Sequence, residues 1–184
     1  MIFIIYGIFG LPRSGKTTYL CKLARKFTKQ GKIVLTNFPC KDCYVLNFDD
    51  LGKYDMSDVV ILIDEISLVC DSRDWKNFNS DLRYFFTNHG HFNIDIYYCS
   101  QWFTDCDIKI RRMTESLYYI ERKFFGFSMR YDVVRDIATT PTGDITDTYK
   151  FKHGRLFFRP FYYSMFDSFS KKQLPVYSYV KWDA

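Results

Sequence analysis

Residues 10 to 17 read Gly-Leu-Pro-Arg-Ser-Gly-Lys-Thr, a glycine-bounded turn ending in a lysine and a hydroxyl. The spacing G-x-x-x-x-G-K-[ST] is what a phosphate chain requires, because the backbone N–H groups of a tight turn that opens into a helix form a concave anion nest. Gly10, Leu11, Pro12, Arg13, Ser14 and Gly15 would make the cradle. Lys16 would reach the β and γ phosphates, Thr17 would offer its hydroxyl to Mg²⁺, and Thr18 would complete the set of nucleotide contacts. With Gly near 7% of residues, the four fixed positions coincide by accident in roughly one chain of this length per hundred or fewer.

Asp64 and Glu65 follow directly on the apolar run Val59-Val-Ile-Leu-Ile63. A carboxylate at the tip of a buried strand can hold Mg²⁺, as in the Walker B strand of ATPases, and a second one residue on can polarise a water for in-line attack on the γ-phosphate. A helix N-terminus alone would also favour acids here, so the reading leans on the phosphate loop upstream. Ser100-Gln101 ends the next strand-like run. In a parallel sheet that tip lies beside Asp64 at the same carboxyl edge, where the Gln101 amide can sense the γ-phosphate and the water. Within the set Lys16, Thr17, Asp64, Glu65 and Gln101 the one strong positive charge is Lys16, so a further cation is expected from elsewhere.

The elements that must hold these residues alternate between strand and helix. The run Ile2–Tyr6 precedes the loop, and Lys16–Gln30 reads as a helix ended by Gly31. Lys32–Thr36, Tyr44–Phe48, Val59–Ile63 and Ile94–Cys99 read as strands, and Ser80–His89 as a helix with Leu82, Phe85 and Phe86 on one face. Beyond Gln101 further strands are expected, including a hairpin over Tyr149–Phe158 turning at His153-Gly154. The pattern predicts an α/β fold of the P-loop NTPase class: a mostly parallel central sheet flanked by helices, with extra C-terminal strands. The 184 residues, 47% hydrophobic, fit one domain, with residues 1–120 as a nucleotide-binding core and 121–184 as its strand-rich extension.

The longest apolar runs, Met1–Phe9 and Val59–Ile63, fall short of the roughly 18 to 20 residues a membrane helix needs, and the start lacks a signal peptide's basic flank. A soluble protein made in a cytoplasm is the expectation. The six cysteines agree with a reducing compartment, and Cys40-x-x-Cys43 is half a zinc site without a second half. The net charge of +5 is unevenly spread. Residues 1–50 carry eight Lys/Arg against three acids, 51–110 five against ten, and 111–184 thirteen against eight. Basic flanks around an acidic middle suit an NTPase that touches a polyanion. In Lys150-Phe-Lys-His-Gly-Arg-Leu-Phe-Phe-Arg159 basic and aromatic residues interleave, as they do where a strand tracks phosphates and stacks bases, although packing against the sheet is the commoner use of strand aromatics.

The block Thr87-Asn-His-Gly-His-Phe-Asn-Ile-Asp-Ile-Tyr-Tyr-Cys-Ser-Gln101 and the following Asp107-Ile-Lys-Ile-Arg-Arg-Met113 resemble the zonula occludens toxin family, the assembly ATPases of filamentous phages. The resemblance extends to Gly10–Thr17, Leu35-Thr36-Asn37, Ile63-Asp64-Glu65-Ile66 and, more weakly, Phe161-Tyr-Tyr-Ser164. It implies membership of the FtsK/HerA superfamily of DNA-pumping ATPases, which work as hexameric rings with ATP and Mg²⁺ at subunit interfaces and an arginine from one subunit entering its neighbour's site. Arg111 or Arg112 matches that arginine. The implied partners are the phage genome and capsid or membrane assembly proteins. The implied location is the host cytoplasm, with recruitment to the inner membrane or the virion.

Two departures bear on this. The family pattern H-R-H-x-G-x-D is here His89-Gly90-His91-Phe92-Asn93-Ile94-Asp95, so the arginine is missing and asparagine, which tolerates a left-handed turn, replaces glycine. The stretch His91–Ile94 is also similar to genome-packaging ATPases of membrane-containing viruses. The transmembrane segment of the filamentous-phage members has no counterpart, which implies a soluble packaging-type relative or a shortened chain. Two other classes compete: a small-molecule P-loop kinase, which would need an arginine-rich lid that the sequence does not offer, and a morphogenesis factor that binds ATP without motor activity.

Overall fold

Val59–Ile63 is apolar at every position, which suits a strand covered on both faces. It is strand β4, and all five residues are buried. In the structure, a computed structural model that describes residues 3–68, 80–139 and 145–166, this strand lies within one eight-stranded sheet. The other elements are β1 (Ile5–Phe9), α1 (Lys16–Lys29), β2 (Ile33–Thr36), β3 (Tyr44–Val45), α2 (Ser80–Asn88), β5 (Asp95–Ser100), α3 (Ile108–Met113), β6 (Ser116–Arg122), β7 (Phe127–Thr139) and β8 (Ile145–Phe158). The strand order is β3-β2-β4-β5-β1-β6-β7-β8. All pairings from β3 to β6 are parallel, and β7 and β8 extend the sheet in antiparallel fashion.

Successive residues of a strand face opposite layers, and the core divides accordingly. Ile61, Ile63, Ile96 and Tyr98 pack with Leu82, Phe85 and Phe86 of α2 and Ile110 of α3. Val60, Leu62, Tyr97 and Cys99 pack with Leu20, Leu23, Ala24 and Phe27 of α1, spaced as one helical stripe. The helix ends as its sequence dictates, with Lys26 and Lys29 in the last turn and Gly31 just beyond in a left-handed conformation. One side chain of β7 reaches α1. The buried Arg130 lies over the Tyr118 ring at 4.2 Å and donates from Nη1 to the Tyr19 hydroxyl at 3.2 Å.

Three sequence expectations are corrected. β1 runs Ile5–Phe9 rather than Ile2–Tyr6, because the strand continues to the edge of the loop at Gly10, pairing Phe9 with Ser100 and Tyr119. The third strand keeps only Tyr44–Val45 of Tyr44–Phe48: it is the sheet's edge, and Asn47 ends it by accepting from Asp49 N to cap a 3-10 turn over Phe48–Asp50. His153-Gly154 is not a hairpin turn but a bulge inside β8. The register moves from Arg130↔Arg155 to Asp132↔Lys152, and His153 takes a φ of 40°. A residue pair that tolerates positive φ fits a bulge as well as a turn, and sequence does not separate the two. The residues that join β7 to β8 lie outside the described residues. Asn93 has a φ of 58°, the left-handed conformation expected where the family pattern has glycine.

Candidate nucleotide site

β1 ends at the loop, and the loop's backbone alternates in hand. Gly10, Arg13 and Gly15 have φ of 154°, 61° and 104°, and α1 begins at Lys16. Turns of this kind aim successive N–H groups inward. Two glycines are required by their surroundings as well as their φ: a Cβ on Gly10 would stand 2.3 Å from Ile120 O, and one on Gly15 2.9 Å from Arg159 Cδ and 3.0 Å from Ser128 Oγ. The Lys16 ammonium is folded back on the loop, donating to Gly10 O at 2.7 Å and Leu11 O at 3.2 Å. Gly10 N donates to Gln101 O at 3.3 Å, which ties the loop to the tip of β5. The Ser14 hydroxyl oxygen is buried and has no hydrogen-bond partner among the described residues.

The end of β4 closes on the start of α1. Thr17 Oγ1 donates to Asp64 Oδ2 at 2.8 Å. Asn37, at the tip of β2, fixes the Asp64 backbone from both sides: its Nδ2 donates to Asp64 O at 2.8 Å, and Asp64 N donates to its Oδ1 at 2.7 Å. Burial pushes the Asp64 carboxyl above its usual value and Glu65 adds to this, while the Thr17 hydrogen bond and the Lys16 charge oppose it. Such a carboxylate gains from a cation placed beside it. Glu65 has a φ of 49°, unusual for a non-glycine residue, and its Oε1 accepts from Ser67 Oγ at 2.7 Å. Gly10–Thr18, Asp64, Glu65 and Gln101 therefore share one edge of the sheet, as parallel pairing of β4, β5 and β1 requires.

Arg111 and Arg112 do not join them. α3 ends where β6 starts, at the opposite edge of the sheet, where Glu115 N donates to Ile5 O at 3.0 Å and Ser116 lies opposite Tyr6. Arg111 Nε donates to Cys106 O at 3.1 Å, and Arg112 is exposed. A cleft of about 750 Å³ lies elsewhere, against Phe38, Pro39, Cys40, Tyr44, Met165 and Phe166. Its lining is mostly apolar, includes none of Gly10–Thr18, and meets the site only at Asn37, with Thr36, Lys41 and Ser164 as its other polar residues. In its wall the Cys40 thiol is pushed up to about 12, chiefly by its contact with Cys21. No group of three or more His, Cys, Asp or Glu among the described residues is arranged to hold a metal ion.

The model of the zonular occludens toxin (Zot) family matches residues 21–173. The chain belongs to the Zot family. The match begins after the phosphate loop, so the loop is an observation independent of it. None of the curated proteins compared matches this Zot-family chain. Among solved structures it is similar to the N-terminal domain of zonular occludens toxin from Neisseria meningitidis, with a TM-score of 0.56 and 16% identity over 91% of this chain and 100% of that one. It is also similar to the genome packaging NTPase B204 from Sulfolobus turreted icosahedral virus 2, in complex with sulfate (TM-score 0.51, 12% identity, 83% of this chain, 97% of that). The same protein in complex with ATP-gammaS gives a TM-score of 0.51 at 13% identity, over 79% of this chain and 96% of that. The shared architecture is the α/β fold with a mostly parallel sheet that P-loop NTPases have. No helix among the described residues is long and apolar enough to cross a membrane.

Three residues of this Zot-family site have no role from sequence, and a fourth, Arg159, is read there only as the end of a basic and aromatic stretch suited to a polyanion. Asn37 stood in the family resemblance without a role, and Ser67 was not singled out. Ser128 and Arg159 reach the loop from the C-terminal strands, with Ser128 Oγ donating to Ser14 O at 2.6 Å. Lys16 remains the one cation of the set Lys16, Thr17, Asp64, Glu65 and Gln101, and Arg159 packs on Gly15 from outside that set. Sequence carries no signal for a contact that depends on how β7 and β8 pair.

Proposed function

We propose that the chain is an ATP-hydrolysing motor that moves a phage genome during packaging or virion assembly, working as a homo-hexameric ring. The observation that carries this is the convergence of Lys16, Thr17, Asp64, Glu65 and Gln101 on the edge where the loop opens. The nest and Lys16 bind the β and γ phosphates of ATP, and Thr18 contacts the chain nearer the nucleoside. The Thr17 hydroxyl and the Asp64 carboxylate, already 2.8 Å apart, fit a Mg²⁺ ion, and the raised carboxyl gives a cation a favourable place. Held there, the ion would supply charge neutralisation to the phosphates. Glu65 takes a proton from the attacking water, oriented by Ser67, and Gln101 senses the γ-phosphate.

DNA is the polyanion that the basic flanks fit, and Lys150, Phe151, Lys152 and Arg155 of β8 are exposed for such contact while Phe157 is buried in the core. Capsid or membrane assembly proteins of the phage are the remaining partners, and the host cytoplasm is the place of work. A glutamate held beside the metal-binding aspartate supports water rather than an acceptor hydroxyl as the nucleophile, and so disfavours a kinase.

Lys16→Ala tests the nucleotide reading. The ammonium would exchange two loop carbonyls for phosphate oxygens, and a hydrogen-bonded charge of this kind contributes about 1.5–3 kcal/mol, so ATP affinity is expected to fall roughly 10- to 100-fold by titration calorimetry. Affinity retained within about threefold, well under 1 kcal/mol, would remove Lys16 from this role.

A further inference from the structure

Arg159 opens the 3-10 segment Arg159–Met165 that follows β8. Its position is fixed twice by one carbonyl: its backbone N–H donates to Gly126 O at 2.9 Å and its Nε donates to the same oxygen at 3.2 Å. That carbonyl is held by the β6–β7 turn, where Phe127 N donates to Phe124 O at 3.1 Å, Lys123 N donates to Phe127 O at 2.9 Å and Gly126 has a φ of 79°. The stem of Arg159 then lies against Gly15, the residue from which α1 starts, so closely that no side chain fits between them. Its two terminal nitrogens make no hydrogen bond or ion pair with any described residue. A guanidinium anchored through Nε, with its terminal donors free beside an anion nest, is built to take an anion.

The sheet order decides which part of the anion. Glu65 and Gln101 follow β4 and β5, on one side of β1, whereas Gly126 precedes β7 and Arg159 follows β8, on the other. The attacking water and the arginine therefore stand on opposite sides of the loop. We propose that Arg159 binds the phosphate chain of the nucleotide in cis at its nucleoside-proximal end, the α and β phosphates, making the C-terminal strands one wall of the site. The proposal rests on the nucleotide-binding reading above. It assigns Arg159 to affinity and leaves the charge that develops at the γ-phosphate to another group.

The test compares Arg159→Met, which keeps the stem over Gly15 and removes the charge, with Arg159→Lys, using ATP, ADP and adenosine as probes and thermal unfolding as a control. The expected result for Arg159→Met is a Kd for both ADP and ATP raised about ten- to hundredfold, adenosine binding unchanged, and partial recovery in Arg159→Lys. Wild-type affinity for ADP in Arg159→Met, or an equal loss for adenosine, overturns the assignment. Lys16→Ala measured alongside separates the two failures. If Lys16→Ala loses ATP and Arg159→Met does not, the inference alone falls; if neither variant loses ATP, the nucleotide reading falls with it.

Discussion

Replacing Glu65 by Gln is expected to leave ATP binding intact and to lower turnover by about 10²- to 10⁴-fold, the usual contribution of a positioned general base. The exchange is isosteric. Its amide oxygen can still accept from Ser67 Oγ, now 2.7 Å from the carboxylate, so the side chain keeps its place while losing the ability to accept a proton from water. The backbone at this residue, with a φ of 49°, is set by the turn after β4 and by Asn37 holding Asp64, neither of which the substitution touches. Rapid-quench measurement of a single turnover, with binding followed separately by calorimetry, checks both halves. Hydrolysis at the wild-type rate in Glu65→Gln would show that another group serves as the base.

Removing Arg111 and Arg112 together is expected to cost more, about 10³- to 10⁵-fold in turnover, the range an arginine finger contributes. On the proposed reading the γ-phosphate has Lys16 beside it in cis, and Arg159 stands on the side of β1 away from Glu65. Charge developing on the transferred group is then expected to be met by a donor from another subunit. Both arginines end α3 at the sheet edge opposite their own loop, which suits service to a neighbour. The single variants assign the role. Arg111 is anchored through Nε to Cys106 O and would arrive pre-positioned, whereas Arg112 is exposed and would be ordered by the contact. Neither the arginine-deficient subunit nor Glu65→Gln should turn over alone. A mixture should recover activity, because the Glu65→Gln subunit donates its arginines to a neighbour whose own base is intact. A mixture as inactive as its parts, or arginine variants that lose DNA binding while DNA-free turnover stays normal, would reject the assignment.

The parts of the site that were legible in the sequence are those whose chemistry is contiguous. Gly10–Thr17 specifies its own turn, and Asp64-Glu65 follows a strand whose unbroken apolar run marks it as buried. Ser100-Gln101 could be placed because parallel pairing puts strand ends side by side, and β5 does pair with both β4 and β1. Ser128 and Arg159 could not be placed, because their contacts with the loop span more than a hundred residues and depend on the antiparallel register of β6, β7 and β8. The bulge at His153-Gly154 escaped for a local reason: positive φ is the signature of both a bulge and a turn, and the pairing partner decides between them. Edge position shortened β3, since a strand paired on one side only yields readily to an asparagine cap.

A ring motor that completes its site with a neighbour's arginine makes one demand that neither a monomeric kinase nor a passive ATP-binding factor shares: its rate per subunit depends on assembly and on its track. The direct measurement is steady-state phosphate release per subunit across protein concentrations spanning monomer and ring, each point taken with and without DNA, with mass determined on the same samples. The expected result is negligible release from the monomer, a steep rise with assembly, further stimulation by DNA, and no release at any concentration from Lys16→Ala. Full, DNA-independent turnover in a demonstrably monomeric sample would contradict the account.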